Sequence, residues 1–338
     1  MQRRRAGNPL RLQALLRAGR TGPAASIATR PGTAPLARPA FAERPAARGA
    51  GLCHHAGAVP EARRVLPPPI PSATILLIRE PRGSGEAAGP APAGPSAFEV
   101  FMVQRHHQVD FASSALVFPG GKVDPSDRDP ALRARCAAAG AFDDETVAYR
   151  IAAVRETFEE SGVLVARARG AAGLVPAARA LEIEARWRGP LNEKRVRFGE
   201  IAAAEDLELA LDALVLFAHW ITPEFMPKRF DTHFYLVSVP HDQAAVHDGG
   251  ESVDSRWIAP TQALADGAAG RLSIIFPTRM QLAKLARATS VADALERAVH
   301  APVVPVLPTI GKGASGPVIR IPAEADYDLI EAPLDDIR

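Results

Sequence analysis

The fold of this chain is decided by two stretches, Phe118-Pro119-Gly120-Gly121-Lys122-Val123-Asp124 and Arg155-Glu156-Thr157-Phe158-Glu159-Glu160-Ser161-Gly162-Val163. The adjacent glycines of the first stretch predict a turn that a neighbouring segment approaches closely, because a side chain there would block the approach. The second stretch predicts the end of a helix, since Gly162 suits the left-handed residue that follows a helix. Together they predict a glycine turn and a helix that carries several acidic side chains.

The helix predicted over Asp144 to Ser161 has an apolar face and an acidic face. Successive residues turn by about 100°, which places Val147, Ile151, Val154 and Phe158 in one direction and Glu156, Glu159 and Glu160 in the opposite one. Three carboxylates within one turn repel one another, and a hard divalent cation such as Mg²⁺ removes that repulsion. The alternative is an acidic face that is simply solvated. The glycines on either side of the cluster favour the metal site.

These residues resemble the Nudix box, G-x5-E-x7-R-E-U-x-E-E-x-G-U, in which U is a bulky aliphatic residue. Gly121 supplies the first glycine, and Arg155 to Val163 supply the second half of the pattern. The sequence departs from the box in two ways. Asp127 stands where the first Glu would be, and 27 intervening residues instead of 7 separate it from Arg155. Thr157 replaces the first aliphatic residue. The role of the first acid is therefore open.

The resemblance implies an α/β fold, a Nudix-type α/β/α sandwich with a mixed β-sheet and additional helices. The insertion from Pro130 to Phe142 resembles the branch of the superfamily that includes the peroxisomal coenzyme A diphosphatases. The implied activity is metal-dependent hydrolysis of the pyrophosphate of a nucleoside diphosphate linked to another moiety, with coenzyme A or acyl-coenzyme A as the expected substrate. Two alternatives stay open: an ADP-ribose or nucleotide-sugar pyrophosphatase, and a non-catalytic module that senses nucleotides or binds nucleic acid.

The resemblance also implies the residues of the site and its cofactor, Mg²⁺ or Mn²⁺. The expected metal ligands are Glu156, Glu159, Glu160 and the backbone carbonyl of Gly120. The expected catalytic residues are Glu156, Arg155 and Glu251, and the general base is either a box Glu or Glu251 from a later loop. The expected substrate-binding residues are Gly121, Lys122, Lys228 and Arg229, of which the last two are candidates for holding a 3′-phosphate.

Charge divides the chain into two parts. Residues 1–66 contain 12 arginines and two acidic residues, whereas the remaining 272 residues contain 28 basic and 36 acidic residues. The first segment is rich in Ala, Pro and Gly and has no helical or strand period, which predicts a disordered leader. We expect a Nudix domain over 67–300 with a helical insertion over 170–212, and a C-terminal extension over 301–338.

Local patterns predict the main elements of the folded part. Ala73 to Arg79 and Phe98 to Gln104 are apolar, and we expect them to form a hairpin with a long loop. A helix is predicted over Lys194 to Leu211. No apolar run reaches the length of about 18 residues that a membrane-spanning helix needs.

The same sequence bears on location and partners. Two cysteines far apart favour a reducing compartment, and we expect a cytoplasmic protein, with organellar targeting by the Arg-rich segment as the minor alternative. The expected partner is a small pyrophosphate substrate; nucleic acid and membranes are not expected as partners, and the oligomeric state is open.

Overall fold

The computed structural model describes residues 67–81, 98–105, 115–243, 245 and 252–334. The predicted leader, residues 1–66, lies outside these residues, and so does Glu251, the later-loop candidate for the general base. Within the described part, no helix is both long enough and apolar enough to cross a bilayer.

Over the described residues, the main sheet has eight strands in a mixed arrangement. They are β1 (Ile70–Arg79), β2 (Glu99–Arg105), β3 (Leu116–Val117), β4 (Gly120–Lys122), β7 (Val215–Ile221), β8 (Phe230–Ser238), β9 (Ser252–Ile258) and β10 (Pro305–Val306). Two smaller sheets pair β5 (Ala166–Ala168) with β6 (Leu207–Leu209), and join β11 (Thr309–Gly313), β12 (Gly316–Arg320) and β13 (Glu331–Pro333).

The long strand β1 organises the main sheet. The strand order is β10-β7-β8-β1-β2-β3, with β4 also paired to β1 and β9 also paired to β2. β1 runs parallel to β8 and antiparallel to β2 and β4, so the predicted hairpin of the first two strands is confirmed. Side chains of β1 are buried on both faces, Ile75 and Leu77 in one core and Leu76 and Ile78 in the other. This explains why the strand is apolar without alternation.

Helices cover both faces of the main sheet. In chain order they are α1 (Pro130–Arg133), α2 (Asp144–Ser161), α3 (Ala177–Asn192), α4 (Phe198–Ala204), α5 (Pro260–Ala268), α6 (Phe276–Leu285) and α7 (Val291–His300). Side chains of α2, α3 and α4 belong to the first core, and those of α5, α6 and α7 to the second. The predicted α/β/α sandwich with a mixed sheet and additional helices is confirmed.

One row of paired residues crosses four strands of the main sheet. His219 of β7 pairs with His233 of β8, His233 pairs with Ala73 of β1, and Ala73 pairs with Gly121 of β4. Directly paired residues point to the same face of a sheet, and Ala73 belongs to the core beneath α2. The glycine turn and the two histidines therefore lie on the face that α2 covers.

The predicted helix over Lys194 to Leu211 is wrong except at Phe198–Ala204, which forms α4. Helix α4 ends at Ala204, and the backbone at Asp206 is left-handed, with a φ of 47°. The following strand β6 then pairs antiparallel with β5. The backbone hydrogen bonds of this pairing, together with burial of Leu207 and Leu209, outweigh the helical periodicity of the segment.

The segment predicted as a C-terminal extension, 301–338, packs against the second core over its described residues. β10 pairs with β7 at the edge of the main sheet, and Val306 and Ile319 are buried. The hydroxyl of Tyr327 accepts a hydrogen bond from Trp220 Nε1 at 2.8 Å and donates one to Gln281 Oε1 at 3.0 Å. This part of the segment is thus joined to both β7 and α6.

Candidate active site

Helix α2 presents the acidic face that the sequence predicts. The carboxylate of Asp143 accepts a hydrogen bond from the Thr146 amide at 2.7 Å and caps the start of the helix. Gly162 ends it with a left-handed φ of 74°, and its amide donates to the Phe158 carbonyl at 3.0 Å. The predicted apolar stripe is buried, whereas Glu156, Glu159 and Glu160 keep part of their surface exposed.

The two glycines of β4 lie against this acidic face. A Cβ atom at Gly121 would stand 2.4 Å from the carboxylate carbon of Glu156, a separation that no side chain can adopt. The Gly120 amide donates a hydrogen bond to Glu160 Oε2 at 2.9 Å. The absence of a side chain at Gly121 therefore lets the turn reach the Glu156 carboxylate, and its absence at Gly120 lets the turn pack closely on Ala73 and Thr74 of β1.

Arg155 connects the turn to the helix through all five of its N–H groups. Its Nε and Nη2 atoms donate to Asp127 at 2.8 and 2.9 Å, and Nη2 also donates to the Lys122 carbonyl at 2.9 Å. Its Nη1 atom donates to Glu156 at 2.9 Å and to Glu159 at 3.2 Å. One buried guanidinium thus sets the positions of two box carboxylates relative to the glycine turn.

Asp127, whose role the sequence left open, is the buried partner of Arg155. Its side chain is fully buried, and it accepts two hydrogen bonds from Arg155 and one from the Asp124 amide at 2.8 Å. The 27-residue separation from Arg155 is taken up by α1 and two short 3-10 turns, Pro125–Arg128 and Ala139–Ala141, before α2 begins. The sequence feature that indicates a role for Asp127 is its position six residues after Gly121, because the box has its first Glu at that spacing.

Thr157 fits its position despite its polarity. Its side chain is buried, and its hydroxyl donates to the Ala153 carbonyl of the preceding helical turn at 2.8 Å. A buried hydroxyl that is hydrogen-bonded avoids the cost of losing its water. The replacement of an aliphatic residue here therefore leaves the helix intact.

Electrostatics at the site favour binding of a cation. Burial raises the pKa of Glu156 to about 7. The charge of Arg155 acts to lower this pKa, and the charge of Glu159 acts to raise it. Burial also raises the pKa of Glu159. Burial disfavours the charged form of Arg155, but the hydrogen bond to Asp127 and the charge of Glu156 outweigh this effect and raise its pKa. Burial therefore disfavours the charged form of these carboxylates, and a bound cation would stabilise it.

The donor set suits a hard divalent cation. Glu156 and Glu159 both accept hydrogen bonds from one nitrogen of Arg155. Glu160, on the same helix, accepts a hydrogen bond from the Gly120 amide of the glycine turn. Carboxylate oxygens are the ligands that Mg²⁺ and Mn²⁺ prefer. Glu156 and Glu159 thus meet at Arg155, and Glu160 lies beside the glycine turn that the Glu156 carboxylate also contacts.

Lys228 and Arg229 lie in the connection between β7 and β8. Arg229 Nε donates to the Thr222 carbonyl at 3.1 Å, and Lys228 Nζ lies 5.6 Å from the centre of the Phe230 ring. Phe230 pairs with the first residue of β1, and Lys122 pairs with the third. Lys122 and the connection that carries Lys228 and Arg229 therefore lie at the same end of the sheet, on neighbours of β1.

Known proteins are similar to this chain in sequence. Residues 128–285 match the model of the NUDT19 Nudix domain. The chain is 28% identical over 286 residues to the acyl-coenzyme A diphosphatase NUDT19 of Homo sapiens, covering 72% of this chain and 76% of that protein. The corresponding protein of Xenopus laevis is 26% identical over 228 residues, which are 56% of this chain and 60% of that one. The chain thus spans about 60% of the Xenopus relative.

A solved structure shares the fold. The Nudix hydrolase of Alicyclobacillus acidocaldarius superposes with a TM-score of 0.50 at 25% sequence identity, covering 68% of this chain and 96% of that one. Together with the family model, this confirms the resemblance to the Nudix hydrolase superfamily and to its coenzyme A diphosphatase branch.

Replacing Asp127 with Asn should lower the free energy of unfolding by about 3–5 kcal/mol, because it leaves the buried Arg155 charge without its main partner. Urea denaturation without added metal measures this change. The matched control is Glu145→Gln, which removes an exposed ion pair with Arg128 and should cost less than about 1 kcal/mol. Equal losses in the two variants would contradict the role given to Asp127.

Proposed function

We propose that this chain, with its Nudix fold and box, is a divalent-metal-dependent pyrophosphohydrolase that cleaves coenzyme A or acyl-coenzyme A. The observation that carries the proposal is the carboxylate cluster of Glu156, Glu159 and Glu160, which Arg155 and the Gly120 amide hold beside the glycine turn. Mg²⁺ held by carboxylates of this kind usually keeps water and substrate phosphate oxygens among its ligands.

The proposed ligands for Mg²⁺ or Mn²⁺ are the three box carboxylates, with the Gly120 carbonyl as a further ligand. The bound ion would neutralise the charge of the pyrophosphate and lower the pKa of an attacking water. Arg155 is a positioning residue, since its N–H groups all bind protein acceptors. Its contribution is to fix the orientation of Glu156 and Glu159.

The chemical step transfers a phosphoryl group to water. Water attacks one phosphorus, the bond from that phosphorus to the bridging oxygen breaks, and a carboxylate accepts the proton of the water. We assign the proton acceptor to Glu156 of the box or to Glu251 of the later loop. Cleavage of coenzyme A in this way yields 3′,5′-ADP and a phosphopantetheine product.

The substrate assignment has two supports. The relatives in Homo sapiens and Xenopus laevis are named acyl-coenzyme A diphosphatases. Lys228 and Arg229 are placed at the same end of the sheet as Lys122, where cations could hold the 3′-phosphate of coenzyme A. An ADP-ribose or nucleotide-sugar pyrophosphatase would not need this anchor, and a non-catalytic module would not turn over any of these compounds.

Replacing Glu160 with Gln should weaken Mn²⁺ binding at least about tenfold and lower metal-dependent turnover of coenzyme A, because a charged oxygen ligand is lost while the side-chain volume is kept. Mn²⁺ titration followed by electron paramagnetic resonance measures binding, and release of 3′,5′-ADP measures turnover. Glu145→Gln, on the exposed first turn of α2, is the control and should leave both unchanged. Failure of the wild-type protein to turn over any pyrophosphate compound at saturating Mn²⁺ would favour the non-catalytic alternative.

The 3′-phosphate should raise kcat/KM. We expect coenzyme A to exceed its 3′-dephospho form by about tenfold or more, because a charge-assisted phosphate contact contributes about 1.5–3 kcal/mol. The variant Lys228→Gln combined with Arg229→Gln should reduce this ratio toward one while leaving turnover of the dephospho form unchanged. Equal kcat/KM values for both compounds, with faster turnover of ADP-ribose, would exclude coenzyme A as the substrate. This result would not contradict the proposed metal site.

A further inference from the structure

Three potential metal ligands meet on strands β7 and β8, apart from the box. His219 and His233 are directly paired across the two strands, and Asp231 lies two residues before His233, on the same face. One ligand atom from each of the three side chains lies within 4.8 Å of the others. Strand pairing alone therefore brings two imidazoles and a carboxylate together.

The contacts within this group are polar and close. His219 Nε2 lies 2.5 Å from Asp231 Oδ1, and the two imidazole rings meet edge to face with their centres 4.4 Å apart. The side chains of His219 and Asp231 are 19% and 30% exposed, so an ion can reach them from solvent. A tetrahedral ion with bonds of about 2.1 Å separates its ligand atoms by about 3.4 Å, which lies between the 2.5 Å separation of His219 and Asp231 and the 4.8 Å limit of the group.

The surroundings orient His233 in the way that metal-binding imidazoles are oriented. The ring of Tyr149, from α2, stacks on the His233 ring with a centroid separation of 4.1 Å. Nδ1 of His233 lies 3.4 Å from the hydroxyl of Tyr235. Contacts of this type to the second ring nitrogen are usual where an imidazole binds a metal.

The group is separate from the box. Ala73 of β1 lies between His233 of β8 and Gly121 of β4. The backbones of His233 and Gly121 are therefore two strand spacings apart, or about 10 Å. Two ions that act on the same phosphate are about 3.5–4 Å apart. The three side chains are therefore too far from Gly121, and from the Glu156 carboxylate against it, to complete one two-metal centre.

We propose that His219, Asp231 and His233 form a second metal site that binds a transition-metal ion of the Zn²⁺ class. Two imidazoles and one carboxylate match the nitrogen and oxygen ligands that such ions take, with a remaining position for water. The all-oxygen box prefers the harder Mg²⁺ or Mn²⁺. The two sites on this face of the sheet thus differ in ligand chemistry as well as in position.

The test uses Co²⁺, a spectroscopic substitute for Zn²⁺, on the full chain carrying Glu160→Gln so that the box binds weakly. We expect one Co²⁺ per chain with a visible ligand-field absorption band. Adding His233→Gln or His219→Gln should remove the band and weaken Co²⁺ binding at least about tenfold. A band of equal intensity in the histidine variants, or no binding by the Glu160→Gln protein at millimolar Co²⁺, would overturn the proposal.

Two measurements keep the test decisive. Far-ultraviolet circular dichroism and thermal unfolding show whether each histidine variant keeps its fold. If a histidine variant fails to fold, Asp231→Asn takes its place in the test. This variant preserves the shape of the side chain and should weaken Co²⁺ binding by the same factor. The control variant His300→Gln changes an exposed histidine at the end of α7 and should bind Co²⁺ like its Glu160→Gln parent. A loss of binding in this control would overturn the assignment to the β7 and β8 residues.

Discussion

The buried guanidinium of Arg155 is the group on which the arrangement of the site depends. Its five N–H groups all find acceptors on three elements, the Asp127 carboxylate, the Lys122 carbonyl and the acidic face of α2. A planar guanidinium holds its partners at fixed angles, which a lysine cannot do. The turn, the loop after it and the helix therefore take one relative arrangement, and the carboxylates of Glu156 and Glu159 are oriented before any cation binds.

The sheet supplies the second constraint. Strand β4 pairs with β1 at Ala73 and Thr74, and this pairing brings Gly121 beneath the Glu156 carboxylate. A side chain at Gly121 would occupy the place of that carboxylate, so the close approach requires glycine. The long insertion between Asp127 and Arg155 leaves this geometry intact, because α1 and its neighbouring turns lie between two ends that one ion pair holds together.

The parts of the site that a local pattern encodes could be predicted from sequence. The acidic face of α2 follows from helical period, and the roles of Gly121 and Gly162 follow from their lack of a side chain. Asp127 could not be assigned a partner, because a contact across 27 residues depends on how the insertion folds. His219 and His233 could not be paired, because cross-strand register is absent from a single sequence. The helix predicted through Leu207 and Leu209 was wrong because pairing with β5 decides the local structure.

We infer that Arg155 and the glycine turn hold Glu156, Glu159 and Glu160 as one divalent-cation site. Anomalous diffraction from crystals of the wild-type protein grown with Mn²⁺ tests it most directly. We expect an anomalous peak within bonding distance of box carboxylate oxygens, with the hydrogen bonds between Arg155 and Asp127 intact. A peak found away from these three carboxylates, or an Arg155 side chain released from Asp127 when Mn²⁺ is bound, would contradict it.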